Sequence, residues 1–130
     1  MINEGEVVQA LSELGFDVID PGAMPVAQQI RAFSEAEWIV APHGAALTNL
    51  VFASPGASVL ELFAPDYVQG CYWKISDCVT GLTYRYLVGA GRSPRRGRME
   101  GVDSDLTVDV STLLRLLEEL PTAHARAMIK

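Results

Sequence analysis

The chain reads as an α/β protein, a Rossmann-like three-layer sandwich with a mostly parallel sheet, and three observations predict this. Segments of helical periodicity alternate with short β-rich segments along the whole length, the pattern of a parallel sheet covered by helices. The run "EWIVAP" is apolar without polar alternation, as in a strand buried on both faces. Right-handed crossovers between such strands then place helices on both sides of the sheet. With 130 residues, 49% of them hydrophobic, the chain is the size of one domain with one core, so residues 1–130 are read as a single unit.

The elements follow in order. Asn3 and Glu6 have the spacing of an N-cap with a residue that reaches back to it. Val7, Val8, Leu11 and Leu14 then recur at helical intervals, predicting a helix over 4–14 that Gly15 ends. "FDVI" (16–19) is a first strand, stopped by the turn residues Asp20-Pro21-Gly22. Pro25 opens a second helix with Val26, Ile30, Phe33 and Ala36 on one face. "EWIVAP" (37–42) is the second strand, Ala45 to Leu50 a third helix, and "SVLELF" (58–63) the third strand. "YVQGCYWKISDCVTGL" (67–82) is expected to be helical with Tyr72, Ile75 and Val79 inward, against the helix-weakening Gly70. "TYRYLV" (83–88) alternates and is the fourth strand, the Gly- and Arg-rich stretch 89–105 a flexible loop, and Asp109 the cap of a last helix, "VSTLLRLLEEL", closed by Pro121.

Composition excludes several classes. A net charge of -6 disfavours wrapping a nucleic-acid backbone, which takes clustered Lys and Arg; the one basic run, "GRSPRRGR", reads as a surface loop. No apolar run approaches the ~20 residues needed for a transmembrane segment, and "MINEGEVVQ" lacks a signal peptide's basic and apolar regions, so a cytoplasmic location is expected. On a helix, Cys71 and Cys78 would stand roughly 10 Å apart, beyond disulfide reach. With no CxxC pair and two histidines, a structural zinc site is poorly supported. Asp103-Ser104-Asp105 has a D-x-D spacing able to hold a divalent cation, but it follows a loop and is read as a solvated turn.

The stretch "APHGAALTN" (41–49) carries the chemistry. A strand turns through Gly44 directly into a helix; Gly44 can adopt a positive φ or admit a ligand close to the backbone. Ala45 and Ala46 leave the helix N-terminus uncluttered, a setting that suits a diphosphate. His43, with an ordinary pKa of about 6.5, can donate to phosphate or act on a sugar hydroxyl, or it can pack half-buried against a carbonyl. Asn49 can orient His43, bind ligand or bond within its loop. Glu61, at the end of the third strand, can hold two ribose hydroxyls or be a surface carboxylate. "HGAA" has the look of an esterase oxyanion loop, but no G-x-S-x-G accompanies it.

Taken together, "INEGEVVQALSELGFDVIDPGAMPVAQQIRAFSEAEWIVAPHGAALTNLVFASPGASVLELFAPDY" resembles the C-terminal half of glycosyltransferase family 61, through the order Asn-Glu, "GF", Gln29, "HGAALTN", "LEL" and Tyr67. That family includes bacterial capsular polysaccharide biosynthesis proteins, plant xylosyltransferases and animal O-linked N-acetylglucosaminyltransferases. The resemblance implies a GT-B enzyme whose C-terminal Rossmann-like domain holds a nucleotide-sugar donor, usually a UDP-sugar, and transfers the sugar with inversion and no essential metal or other cofactor. It implies that His43 stabilises the leaving diphosphate and that Gly44, Ala45, Asn49, Glu61 and Gln29 bind the donor. Gln28 stands where the family often has an acidic residue. The family's arginine-bearing segment and N-terminal domain would precede Met1. The expectation is therefore a donor-binding half, inactive alone, that meets its glycan acceptor through a missing N-terminal domain or a partner chain. The alternative is a non-catalytic Rossmann-like module that assembles with another chain while His43 and Glu61 merely pack.

Overall fold

The computed structural model describes residues 1–91, 104–119 and 124–130. Among the described residues four α-helices, α1 (Glu4–Glu13), α2 (Val26–Glu35), α3 (Cys71–Ser76) and α4 (Val110–Glu118), surround five strands. These are β1 (Asp17–Ile19), β2 (Trp38–Pro42), β3 (Ser58–Phe63), β4 (Thr83–Val88) and β5 (Arg126–Ile129). The sheet is parallel throughout in the order β1-β5-β2-β3-β4, so the expected α/β three-layer architecture is present.

The route of the chain explains which helix covers which face. From β1 through β2 and β3 to β4 every step runs the same way across the sheet, and right-handed crossovers put all three connections on one side. That side is packed by Phe33 of α2 and by Leu47 and Leu50 of the helix Ala45–Phe52, over Ile39, Ala41 and Val59. The step from β4 to β5 runs backwards, so α4 lies on the opposite face beside α1, where Leu113, Leu117, Val7 and Leu11 cover Val40, Leu60, Leu62 and Met128.

Several elements differ from expectation. Residues 126–129, for which the sequence predicts no element, form a strand between β1 and β2, with Ala127, Met128 and Ile129 buried. Arg126 at its start lies over the Trp38 ring at 5.1 Å and donates to the Leu14 carbonyl. The helix expected over 67–82 is only Cys71–Ser76. It begins after Gly70 and is followed by turns that need Gly81 at φ 70°, so the two cysteines, both free and exposed, do not share a helix. Ala45–Phe52 is a 3-10 helix, an unusually long run of that tighter form.

Asn3 does not cap α1 with its side chain. Its amide instead donates to the Val108 carbonyl at 2.8 Å and accepts from the Val108 amide at 2.9 Å, fastening the start of α1 to the approach to α4. The Asp109 cap is present, accepting from the Thr112 amide at 3.3 Å. Of the loop expected over 89–105, residues 92–103 lie outside the described residues, as does Asp103 of the D-x-D spacing. Its two ends are paired, Ala90 exchanging backbone hydrogen bonds of 2.8 and 2.7 Å with Thr107. Gly89 permits this approach, since a Cβ there would stand 2.4 Å from the Thr107 carbonyl oxygen.

Candidate functional site

The site lies at the carboxyl ends of β2 and β3. His43 follows β2, and its amide donates to the Leu62 carbonyl at 2.8 Å, which prolongs the parallel ladder and fixes the imidazole over β3. Residues of one strand alternate between faces, so Val59, Glu61 and Phe63 point to the side of the Ala45–Phe52 helix while Leu60 and Leu62 point to α1 and α4. Glu61 is not at a strand end. It stands inside β3, opposite Ala41 of β2 and Tyr86 of β4, and is 0% exposed, which rules out a surface carboxylate.

Its two oxygens serve two neighbours. Oε1 meets His43 Nδ1 at 2.5 Å, and Oε2 accepts from the Tyr84 hydroxyl. Both neighbours are two residues from the positions directly opposite Glu61, the diagonal reach expected of long side chains on one sheet face. The carboxylate therefore bridges three strands. Burial, and then the hydrogen bond to Glu61, push the Tyr84 phenol well above the usual tyrosine range.

The imidazole is 12% exposed and held in an aromatic cage. Phe63 stacks on it with centroids 5.0 Å apart, Tyr67 meets it edge-on at 5.2 Å and Tyr72 lies tilted at 5.1 Å. Burial, followed by the neighbouring Cys71, raises the Tyr72 phenol, and its hydrogen bond with Thr48 acts in the opposite sense. With Nδ1 given to Glu61, Nε2 is the ring nitrogen left for a ligand. Charged, the imidazole donates there to an anion; neutral and protonated at Nδ1, it accepts a proton from a hydroxyl.

Gly44 has φ 175°, extended backbone, so of its two expected roles the positive φ does not apply; what it contributes is the missing side chain beside the helix start. No side-chain hydrogen bond caps the start of Ala45–Phe52, a condition that an anion site requires. Asn49 does not touch His43. Its amide donates to Gln29 Oε1 at 3.1 Å, and Gln29 Nε2 donates to the carbonyls of Pro21 and Met24 at 2.9 and 3.0 Å. These two side chains thus tie the helix after His43 to the β1–α2 loop. The structure joins His43 to Glu61, with Gly44 and Ala45 next in the chain, and joins Gln29 to Asn49 as a separate pair. Sequence reasoning missed Tyr84. The signal was there, since a glutamate inside an apolar strand needs partners and Tyr84 lies on an adjacent strand of the alternating type.

Beside the cage, Phe63, Val68, Trp73, Tyr84 and Tyr86 line an open cavity of about 390 Å³. Trp73 and Tyr86 are 52% and 58% exposed. His124, the other histidine, is exposed, away from this site, its amide donating to Glu37 at 2.8 Å. Among the described residues no group of three or more His, Cys, Asp and Glu is placed to hold a metal ion, and no helix is long and apolar enough to cross a membrane.

Residues 1–60 match the family model Glycosyltransferase 61. The match takes in the turn from His43 to Asn49 and stops one residue before Glu61. A rice protein (Oryza sativa subsp. japonica), Beta-1,2-xylosyltransferase RCN11, is 38% identical over 56 residues, which cover 39% of this chain. The aligned region is 10% of that relative's length, so the likeness concerns a small part of it. Both comparisons are likenesses to glycosyltransferases, and each covers less than half of this chain.

Proposed function

We propose that this chain carries the donor-binding region of a family 61 glycosyltransferase that takes a nucleotide-sugar. The observation that carries the reading is the His43–Glu61 pair beside an uncapped helix start, with His43 and the turn after it inside the stretch that matches the family model. In this reading the amides of Gly44 and Ala45 receive the diphosphate of a UDP-sugar. His43, charged and held by Glu61, donates from Nε2 to the phosphate oxygen on which charge develops as the sugar leaves. Glu61 orients His43 instead of holding ribose, since both of its oxygens are engaged inside the protein. Gln29 and Asn49 act on the donor indirectly, by fixing the loop and helix that frame it. Inverting transfer without a metal, a surface-polysaccharide acceptor and an acceptor-binding part outside this chain belong to the same proposal.

The cavity beside the cage favours a second reading, a module that assembles with another chain through Trp73, Val68 and Tyr86, because clustered exposed apolar side chains mark contact surfaces. Titration of UDP into isotopically labelled protein separates the two. The donor reading expects amide shifts centred on Gly44, Ala45 and His43. It also expects at least about tenfold weaker binding in His43→Ala, the cost of one charge-assisted hydrogen bond. No shifts at millimolar UDP, or equal binding by His43→Ala, overturns it.

A further inference from the structure

We propose that Tyr84 is a positioning residue for His43: through Glu61 it fixes which ring nitrogen of His43 carries the proton and which faces the ligand. The argument starts from donor counting. A tyrosine hydroxyl has one proton, and against a carboxylate it must be the donor; an ionised carboxylate only accepts. The Tyr84 hydroxyl therefore occupies Oε2 and leaves Oε1 as the acceptor for His43 Nδ1. The raised phenol keeps this donor protonated throughout the neutral range. Glu61 is fully buried, so no water replaces Tyr84 on Oε2 without a rearrangement. The consequence at the other end of the chain of bonds is a neutral His43 with its proton on Nδ1 and a lone pair on Nε2, and a charged His43 that presents Nε2–H.

The neighbouring tyrosines provide the contrast. Tyr67 and Tyr72 meet the imidazole only as rings, and Tyr86 touches Phe63 edge-on at 6.0 Å without reaching Glu61. They confine His43; Tyr84 alone among these four bonds the carboxylate.

The consequence for donor binding rests on the function proposed above, but the test does not. Nitrogen-15 spectra of the neutral His43 ring, recorded without ligand, report the tautomer directly. In the unsubstituted protein Nδ1 is expected in the protonated position and Nε2 in the unprotonated one. In Tyr84→Phe both resonances are expected to move towards a mixture, while Tyr86→Phe leaves them in place. UDP affinity of Tyr84→Phe is expected to fall about threefold to tenfold, the factor for one weakened hydrogen bond. Unchanged His43 nitrogen shifts in folded Tyr84→Phe overturn the proposal. Should that variant not fold, the unsubstituted protein decides. His43 protonated at Nε2, or a Tyr84 hydroxyl proton exchanging as fast as those of exposed tyrosines, overturns it, and the opposite pair of results supports it. Absence of UDP binding in every variant counts against the donor reading and leaves the tautomer result standing.

Discussion

The two faces of the sheet solve different problems with the same strands. Within β3, Leu60, Glu61 and Leu62 are equally buried, at 1%, 0% and 0% exposure. Leu60 and Leu62 face α1 and α4, where every clustered side chain is apolar. Glu61 faces the other way, between His43 and Tyr84. Burying a carboxylate costs far more than burying a leucine of similar size, and the attraction of its partners does no more than offset that cost. An aliphatic residue at 61, with apolar neighbours, would serve folding at least as well. The first face is built for stability, and the second uses its burial to hold an imidazole in one orientation with no net gain to folding.

The largest effect expected from this contrast is on the apolar face. Leu113→Ala removes a fully buried side chain between α4 and the sheet and should cost about 2–5 kcal/mol in urea unfolding, a large part of an ordinary domain's stability. Ligand binding by the fraction that stays folded should not change; a change there would mean the faces are coupled. On the other face, Glu61→Leu should cost about 1–3 kcal/mol, since it strands His43 Nδ1 and the Tyr84 hydroxyl. Adding His43→Phe and Tyr84→Phe should return stability to within about 1 kcal/mol of the original protein, with UDP binding gone. A triple variant no more stable than Glu61→Leu would mean that the polar chain contributes to folding after all.

Smaller effects follow from titration. Because folding raises the Tyr84 phenol, its contribution is complete below the ordinary tyrosine value of about 10 and is lost as the pH rises above it. Alkaline unfolding should therefore be steeper in the unsubstituted protein than in Tyr84→Phe, with one tyrosine absorbing as phenolate only when the chain unfolds. The smallest effect is at the α4 cap. Side-chain hydrogen bonds from Thr112 and then Ser111 hold Asp109 below the usual aspartate range. Its contribution is present above about pH 4 and disappears as acid carries it through the lower folded value. The melting-temperature difference between the unsubstituted protein and Asp109→Ala should be small at pH 7 and vanish on acidification.

Much of the architecture was legible because it is written in periodicity and punctuation. Helix α1 with its Gly15 stop, the buried run Trp38–Val40 and the Asp109 cap each rest on local signals. The C-terminal strand was not legible, since "RAMI" is short, begins with arginine and carries no strand pattern; its place comes from the gap left between β1 and β2. The turn from His43 to Ala45 was found from its small residues. The hydrogen-bond partners of Gln29, Asn49 and Glu61 were not legible, because they lie 20, 18 and 23 positions away and only the fold brings them close.

The position of β5 has a bearing on synthesis. Residues 17–19 and 38–42 leave the ribosome long before the strand that separates them, and neither can pair with the other in the finished sheet. Until residues 126–129 emerge, the facing flanks of β1 and β2 are unpaired and open to any other extended segment. Completion of this sheet must therefore wait for β5, and a ribosome that stalls before Arg126 presents the cell with a chain ready to pair with its neighbours.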